Sequence, residues 1–218
     1  MQKLTEKLFF EWSLVAHNTS LKYWQFEDGT IKVREVPALI TLQITEIAEA
    51  VEALRKEKVI FSETDIICLS NEHWQQIKDK FFPELAGFLL RCFDMLGGIL
   101  TEKTTYNMFN GFDFKNLILN EVKTCATIKM NTEKKMFVIN PDYLADTESK
   151  KVFYINQNVL SYLQTNVIRL LEKANNNPIQ FVRAIYEVWN FCLKNNCDIN
   201  ELMQFADRAN KLRTPKNQ

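Results

Sequence analysis

The sequence predicts an all-α fold, and three observations carry that expectation. Glycine is scarce: the chain has five in 218 residues, about 2%, against an average near 7%. A fold built on tight turns, bulges or phosphate-cradling loops needs more. Hydrophobic residues make up 46% of the chain, which at this length supports one sizeable core. Long segments run without glycine or proline, and several place their apolar residues at helical spacing.

The elements follow in order. Residues 3–17 put Leu4, Leu8, Trp12 and Val15 on a helical repeat and predict a first helix. A polar, mixed stretch from Asn18 to Val36 comes next. Pro37 closes it, and because proline suits the start of a helix, a second helix is predicted from about Ala38 to Lys56. Residues 58–69 are apolar and β-branched without a clear period. Ser70 suits an N-cap for a helix through Lys80. Pro83 is expected to open a very apolar helix over 84–96, and the Gly97-Gly98 pair to stop it. Within an insertion over 101–156, TCATIKM and KKMFVIN flank the polar Asn131-Thr132-Glu133 and predict a small β-hairpin around 123–140. Helices are expected again over 157–173, over 178–195 after Pro178, and from Asn200, with Asp198 near its N-cap and Pro215 beyond its end. No repeat, low-complexity tract or linker divides the chain, which reads as a single domain over 1–218.

Composition excludes several functions. The five glycines fit neither G-x-G-x-x-G nor G-x-x-x-x-G-K-[ST], so dinucleotide-binding and P-loop chemistry are ruled out. Charge is balanced, 27 Lys+Arg against 27 Asp+Glu, which gives no case for nucleic acid or an anionic membrane as partner. Charged residues interrupt any apolar leader in the first twenty positions, and no run approaches the ~18 apolar residues of a membrane span. Five cysteines without a C-x-x-C, beside two histidines, argue against a zinc ribbon and for a reducing, cytoplasmic setting. Cys92 reads as core, and Cys192 and Cys197, five apart around a helix end, read as inert thiols. His17 and His73 lack a recognisable partner in the sequence and read as structural.

The chemistry sits in carboxylates. At 100° per residue, Leu39, Ile40, Ile44, Ile47, Val51 and Leu54 form the apolar side of the second helix. Glu46 and Glu49 lie on its flank, about 60° apart, whereas Glu52 points outward. Neighbouring carboxylates repel, most strongly when partly buried, and a divalent cation relieves the conflict. In ELAGFLLRCFDML nearly every position is apolar; Glu84, Gly87, Arg91 and Asp94 share a stripe roughly 80° wide. Unpaired buried charge is costly, so this stripe needs partners. It fits either an internal ladder of Arg91 with Asp94 and Glu84, or one wall of an acidic, metal-binding cleft opposite Glu46 and Glu49.

These residues resemble the all-α NTP pyrophosphatases, the MazG-like proteins. ITEIAEAVEALRK resembles the family's E-x-x-E helix and FFPELAGFLLRCFDMLGG its E-x-x-D helix. CDINELMQFADRANKLRTP resembles the C-terminal helix with its K-x-x-x-N element and following Arg, and HNTSLKYWQF the aromatic stretch before the first motif. The resemblance covers about half the chain. It implies a helical bundle assembled as a homo-oligomer, dimer or tetramer. It also implies Mg²⁺ (or Mn²⁺) held by the carboxylates, and hydrolysis of a nucleoside triphosphate or dNTP to monophosphate and pyrophosphate. Carried over, Glu46, Glu49 and Glu84 are the metal-binding catalytic residues, with Asp94 in support. Asn210 and Arg213 contact phosphate; independently of the resemblance, Trp24 and Tyr23 fit either a stacking face for a base or a core or dimer-interface role. The sequence departs from the family twice: Gly87 stands at the Asp of E-x-x-D, and Ala206 at the Lys of K-x-x-x-N. Lys211 or Arg213 would have to replace that Lys, and the gap over 50–83 is longer than usual. Two readings follow: a Mg²⁺-dependent pyrophosphohydrolase, or a catalytically decayed oligomeric binding or scaffolding module on the same fold.

Overall fold

A computed structural model of the chain describes residues 2–32, 34–56, 66–69, 71–101, 114–127, 137–139, 153–156, 163–175, 177–195 and 197–212. Its described residues form a predominantly helical bundle. The helices are α1 (Glu6–Trp24), α2 (Val36–Lys56), α3 (Asn71–Leu100), α4 (Phe114–Thr127), α5 (Arg169–Ala174), α6 (Ile179–Lys194) and α7 (Ile199–Leu212); a π-helical turn, Leu163–Ile168, runs straight into α5.

Helix α3 is the axis of the bundle, contacting α1, α2, α4, α6 and α7. Thirty residues make it about 45 Å long. It runs through Pro83 instead of opening there. A proline inside a helix costs about 3 kcal/mol. On either side of it Phe81, Phe82, Leu85 and Phe88 are all at most 2% exposed, and each such burial contributes roughly 1.5–3 kcal/mol. Packing therefore outweighs the break. The ring of Phe81 meets Phe82 and Phe191 edge-on at 5.1 and 6.0 Å.

The Gly97-Gly98 pair does not end α3 either, which continues to Leu100. A Cβ on Gly97 would overlap the Ser13 carbonyl oxygen, approach its carbon to 2.9 Å and reach His17 Cβ at 2.7 Å. Glycine at this position is a point of close crossing between α1 and α3. The expected cap is a contact.

Helix α1 starts at Glu6, three residues after the expected Lys3, because Thr5 caps it, with Thr5 Oγ1 accepting from Leu8 N–H at 3.2 Å. It runs seven residues beyond the predicted His17, to Trp24. Its polar last turns are held by tertiary bonds: Lys22 Nζ donates to the Asn210 carbonyl at 3.0 Å, and Trp24 is anchored on α3. The N-terminal segment is tied to late parts of the chain. Trp189 Nε1 donates to the Gln2 carbonyl at 3.0 Å, and Trp12 Nε1 to Asn200 Oδ1 at 2.9 Å.

Residues 123–127 close α4 rather than forming a hairpin strand. Ile118, Val122 and Cys125 repeat at helical spacing and bury one face, and a helical period cannot sit as a strand. Residues 128–136 lie outside the described residues. Three short strands, β1 (Ile66–Leu69), β2 (Phe137–Ile139) and β3 (Phe153–Asn156), make an antiparallel sheet of order β1-β3-β2. Leu69 pairs with Phe153 in one ladder and Ile139 with Phe153 in the other. The partner of Phe137–Ile139 is thus Phe153–Asn156, a non-local pairing. At the other end of the chain, Asp198 caps α7 as expected, accepting from Glu201 N–H at 3.2 Å. Among the described residues no helix is long and apolar enough to cross a membrane.

Candidate metal centre

Helices α2 and α3 lie antiparallel, and their register fixes the site. Gln43 Nε2 reaches Met95 Sδ at 3.9 Å, Glu46 pairs with Arg91, and Glu49 stands beside Glu84. The i,i+3 step between Glu46 and Glu49 sets both on the α2 flank facing α3. Glu46, Glu49 and Glu84 each offer a carboxylate oxygen, and these oxygens lie within 4.8 Å of one another. The two sequence motifs meet.

Burial divides the three. Glu46 is 8% exposed, Glu84 half-buried and Glu49 exposed. Burial first, and then the charges of Glu49 and Glu46 with a hydrogen bond that the protonated Glu84 donates to Glu49, push the Glu84 carboxyl above the usual range. Three converging carboxylates, one of them resisting ionisation, are a donor set that suits a hard divalent cation. The cation would remove the repulsion that raises Glu84.

Gly87 faces this cluster. A Cβ there would overlap Glu46 Oε2 and come within 3.3 Å of its Cδ. The carboxylate of Glu46 thus lies against the backbone of α3 in space that any side chain at 87 would claim. Arg91, one turn further along, donates through Nε to Glu46 Oε1. Arg91 was expected, in the ladder, to reach Asp94 and Glu84; its partner is Glu46.

Asp94 does not join the three glutamates. Ten residues of helix separate it from Glu84, about 15 Å along the axis, and it faces α1. Trp24 Nε1 donates to both its oxygens at 2.9 Å, and His17 Nδ1 lies 3.0 Å from Oδ1 and 3.1 Å from the Asp94 carbonyl. Both partners of Nδ1 are acceptors, which assigns the proton to that nitrogen. His17 Nε2 is buried with no hydrogen-bond partner among the described residues. Burial raises the Asp94 carboxyl, opposed by the His17 and Trp24 hydrogen bonds and the charges of His17 and Arg34. This is a clamp between α1 and α3 rather than metal support. Trp24, expected as a face for a base, is 1% exposed, with the Arg34 guanidinium 5.1 Å from its ring centre.

The C-terminal residues are placed in part. Asn210 is half-buried on α7, its carbonyl accepting from Lys22. Lys211 pairs with the buried Asp207 at 2.7 Å. Arg213 lies outside the described residues. A groove of about 530 Å³ runs between α1 and α7, lined by Leu8, Trp12, Val15, Asn200, Asp207 and Arg208; the three glutamates do not line it. In the sequence, the aromatic stretch holding His17 and Trp24 is the one signal of the Asp94 clamp. No family model, curated protein or solved structure matches the chain.

Proposed function

We propose that the protein is a divalent-metal-dependent nucleoside triphosphate pyrophosphohydrolase of MazG-like type, releasing nucleoside monophosphate and pyrophosphate. The observation that carries the reading is the convergence of Glu46, Glu49 and Glu84 from two antiparallel helices. In this reading all three hold Mg²⁺ or Mn²⁺, which when bound neutralises phosphate charge and acidifies a water. Glu84, its carboxyl raised by burial and by the charges of Glu49 and Glu46, tunes the site's charge. Arg91, with a side chain 47% exposed beside Glu46, is placed to meet an anionic ligand. Asn210 and Arg213 contact phosphate, and the protein works as a cytoplasmic homo-oligomer.

The test is turnover of an NTP and dNTP panel with Mg²⁺ or Mn²⁺, read as monophosphate plus pyrophosphate. Metal-dependent release that is lost in Glu49→Gln supports the reading; no turnover at saturating metal sinks it.

Gly87 favours a second reading, a decayed binding or scaffolding module, because the site holds three carboxylates where the resembled family has four. Gly87→Asp separates the two. A sharp rise from weak or absent activity indicates decay, whereas tight metal binding in the parent excludes it. Glu46 has to rotate aside to admit the new side chain.

A further inference from the structure

Two cysteines meet at the corner between α6 and α7. Cys192 lies in the last turn of α6, fully buried, and Cys197 precedes α7 at 7% exposure. Asn195 closes α6: its N–H donates to the carbonyls of Phe191 and Cys192 at 3.2 and 3.1 Å, and its side-chain amide to Phe191 at 2.7 Å. The Cys197 N–H then turns back to the Cys192 carbonyl at 3.0 Å. This is a 6→1 helix-end bond, an arrangement that commonly brings the side chains of its two end residues into contact. Here the Cys197 thiol stands near enough to act on the Cys192 thiol, which it helps burial to raise. Neighbouring thiols on backbone already folded back need little movement to meet the geometry of a disulfide.

We propose that Cys192 and Cys197 are a modification site, a thiol pair that closes to an intramolecular disulfide under oxidising conditions and locks the α6–α7 corner. The co-reactant is a low-molecular-weight disulfide. The thiolate of Cys197, the more accessible sulfur, attacks it, forming a mixed disulfide and releasing one thiolate. The Cys192 sulfur then attacks Cys197 Sγ, expelling the second. The protons lost by the two cysteines pass to the two leaving groups: the protein loses two electrons and two protons, and one small disulfide becomes two thiols. Burial pushes the Cys192 thiol up, so closure quickens as pH rises. In a reducing compartment the pair rests as the dithiol. The other described thiols are placed differently: Cys92 is buried within α3 and Cys125 donates to Glu121 Oε1 at 3.6 Å.

The test equilibrates the full chain in glutathione buffers of increasing oxidised fraction, quenches with acid, alkylates and digests with trypsin. Cleavage after Lys194 puts the two cysteines on separate peptides, 184–194 and 195–208. The expected result is a linked pair of these peptides, 2 Da lighter than their sum, that grows with the oxidised fraction. It forms at least about tenfold faster at pH 9 than at pH 7 and vanishes in Cys197→Ser. Cys192 and Cys197 remaining fully alkylatable at every ratio would overturn the proposal. So would arrest at a glutathione adduct of Cys197, or linkage of either cysteine to Cys68, Cys92 or Cys125. Should Cys197→Ser fail to fold, the parent's peptide map decides alone.

Discussion

Gly97→Ala tests how closely α1 and α3 cross. Helix propensity alone favours the change by about 1 kcal/mol, since glycine inside a helix is that much worse than alanine. At Gly97 the added methyl meets the Ser13 carbonyl, at 2.9 Å from its carbon and closer to its oxygen, with His17 Cβ at 2.7 Å. Backbone cannot swing away as a side chain does, so the two helices must separate. Overpacking of this kind costs about 1–3 kcal/mol, occasionally more. A backbone obstacle belongs at the upper end or beyond, leaving a net loss of roughly 1–3 kcal/mol after the propensity gain. For a chain of 218 residues each kcal/mol moves the melting temperature by about 2–4 °C, so a fall of roughly 2–12 °C is expected by thermal denaturation. Gly87→Ala is the internal control. It carries the same propensity gain, but its obstacle is the end of the Glu46 side chain, which rotates. Its expected change is within about 1 kcal/mol. A Gly97→Ala protein as stable as the parent would refute the close crossing.

Other outcomes follow from the same geometry. Glu84 has its carboxyl raised above 4.5, so the native state binds more protons than the unfolded one between that value and the raised one. Its contribution is present below about pH 4.5 and is lost as pH rises through the folded value; Glu84→Gln should therefore be more stable than the parent at pH 7 and lose that advantage by pH 4, followed by urea denaturation. Mg²⁺ or Mn²⁺ at ten times its dissociation constant should stabilise the parent by about 1.4 kcal/mol and Glu49→Gln by much less, read as a shift in melting temperature. Asp94→Ala takes both carboxylate acceptors from the buried Trp24 N–H, while His17 Nδ1–H keeps the main-chain carbonyl of residue 94, for a loss of roughly 1–3 kcal/mol. Tryptophan emission, reporting Trp24 among the four tryptophans, should shift to the red.

Where local chemistry decides, the sequence was legible. Pro37 at the head of α2 and Asp198 at the cap of α7 were readable because each rests on spacing within one helix. The E-x-x-E flank and the Glu84 stripe were readable only as charged faces in need of partners, with an internal ladder and a shared cleft both open. Tertiary packing made the rest opaque. Pro83 and Gly97-Gly98 are helix breakers by intrinsic preference, and only the aromatic packing around Phe81 and Phe82 and the crossing at Ser13 explain why α3 ignores them. Asp94 lies on the same stripe as Glu84, yet a stripe says nothing about which neighbour stands opposite; along 15 Å of helix the neighbour changes from α2 to α1. The hairpin expectation failed because strand pairing is non-local: KKMFVIN contributes Phe137–Ile139, but to a partner fourteen or more residues on.

The ties that hold the first residues carry a consequence for synthesis. Trp12 finds its acceptor on Asn200 and the Gln2 carbonyl its donor on Trp189, separations of 188 and 187 residues. At about 5–20 residues per second, translation takes roughly 10–40 s to supply those partners. Until α3, its largest anchor, is completed at Leu100, the apolar face of α1 with Phe9 and Trp12 lacks its main partner, and the ties to Trp189 and Asn200 come later still. During synthesis the apolar face of α1 is therefore unpaired until α3 follows, the stage at which such a segment is most open to capture by a chaperone or by another nascent copy.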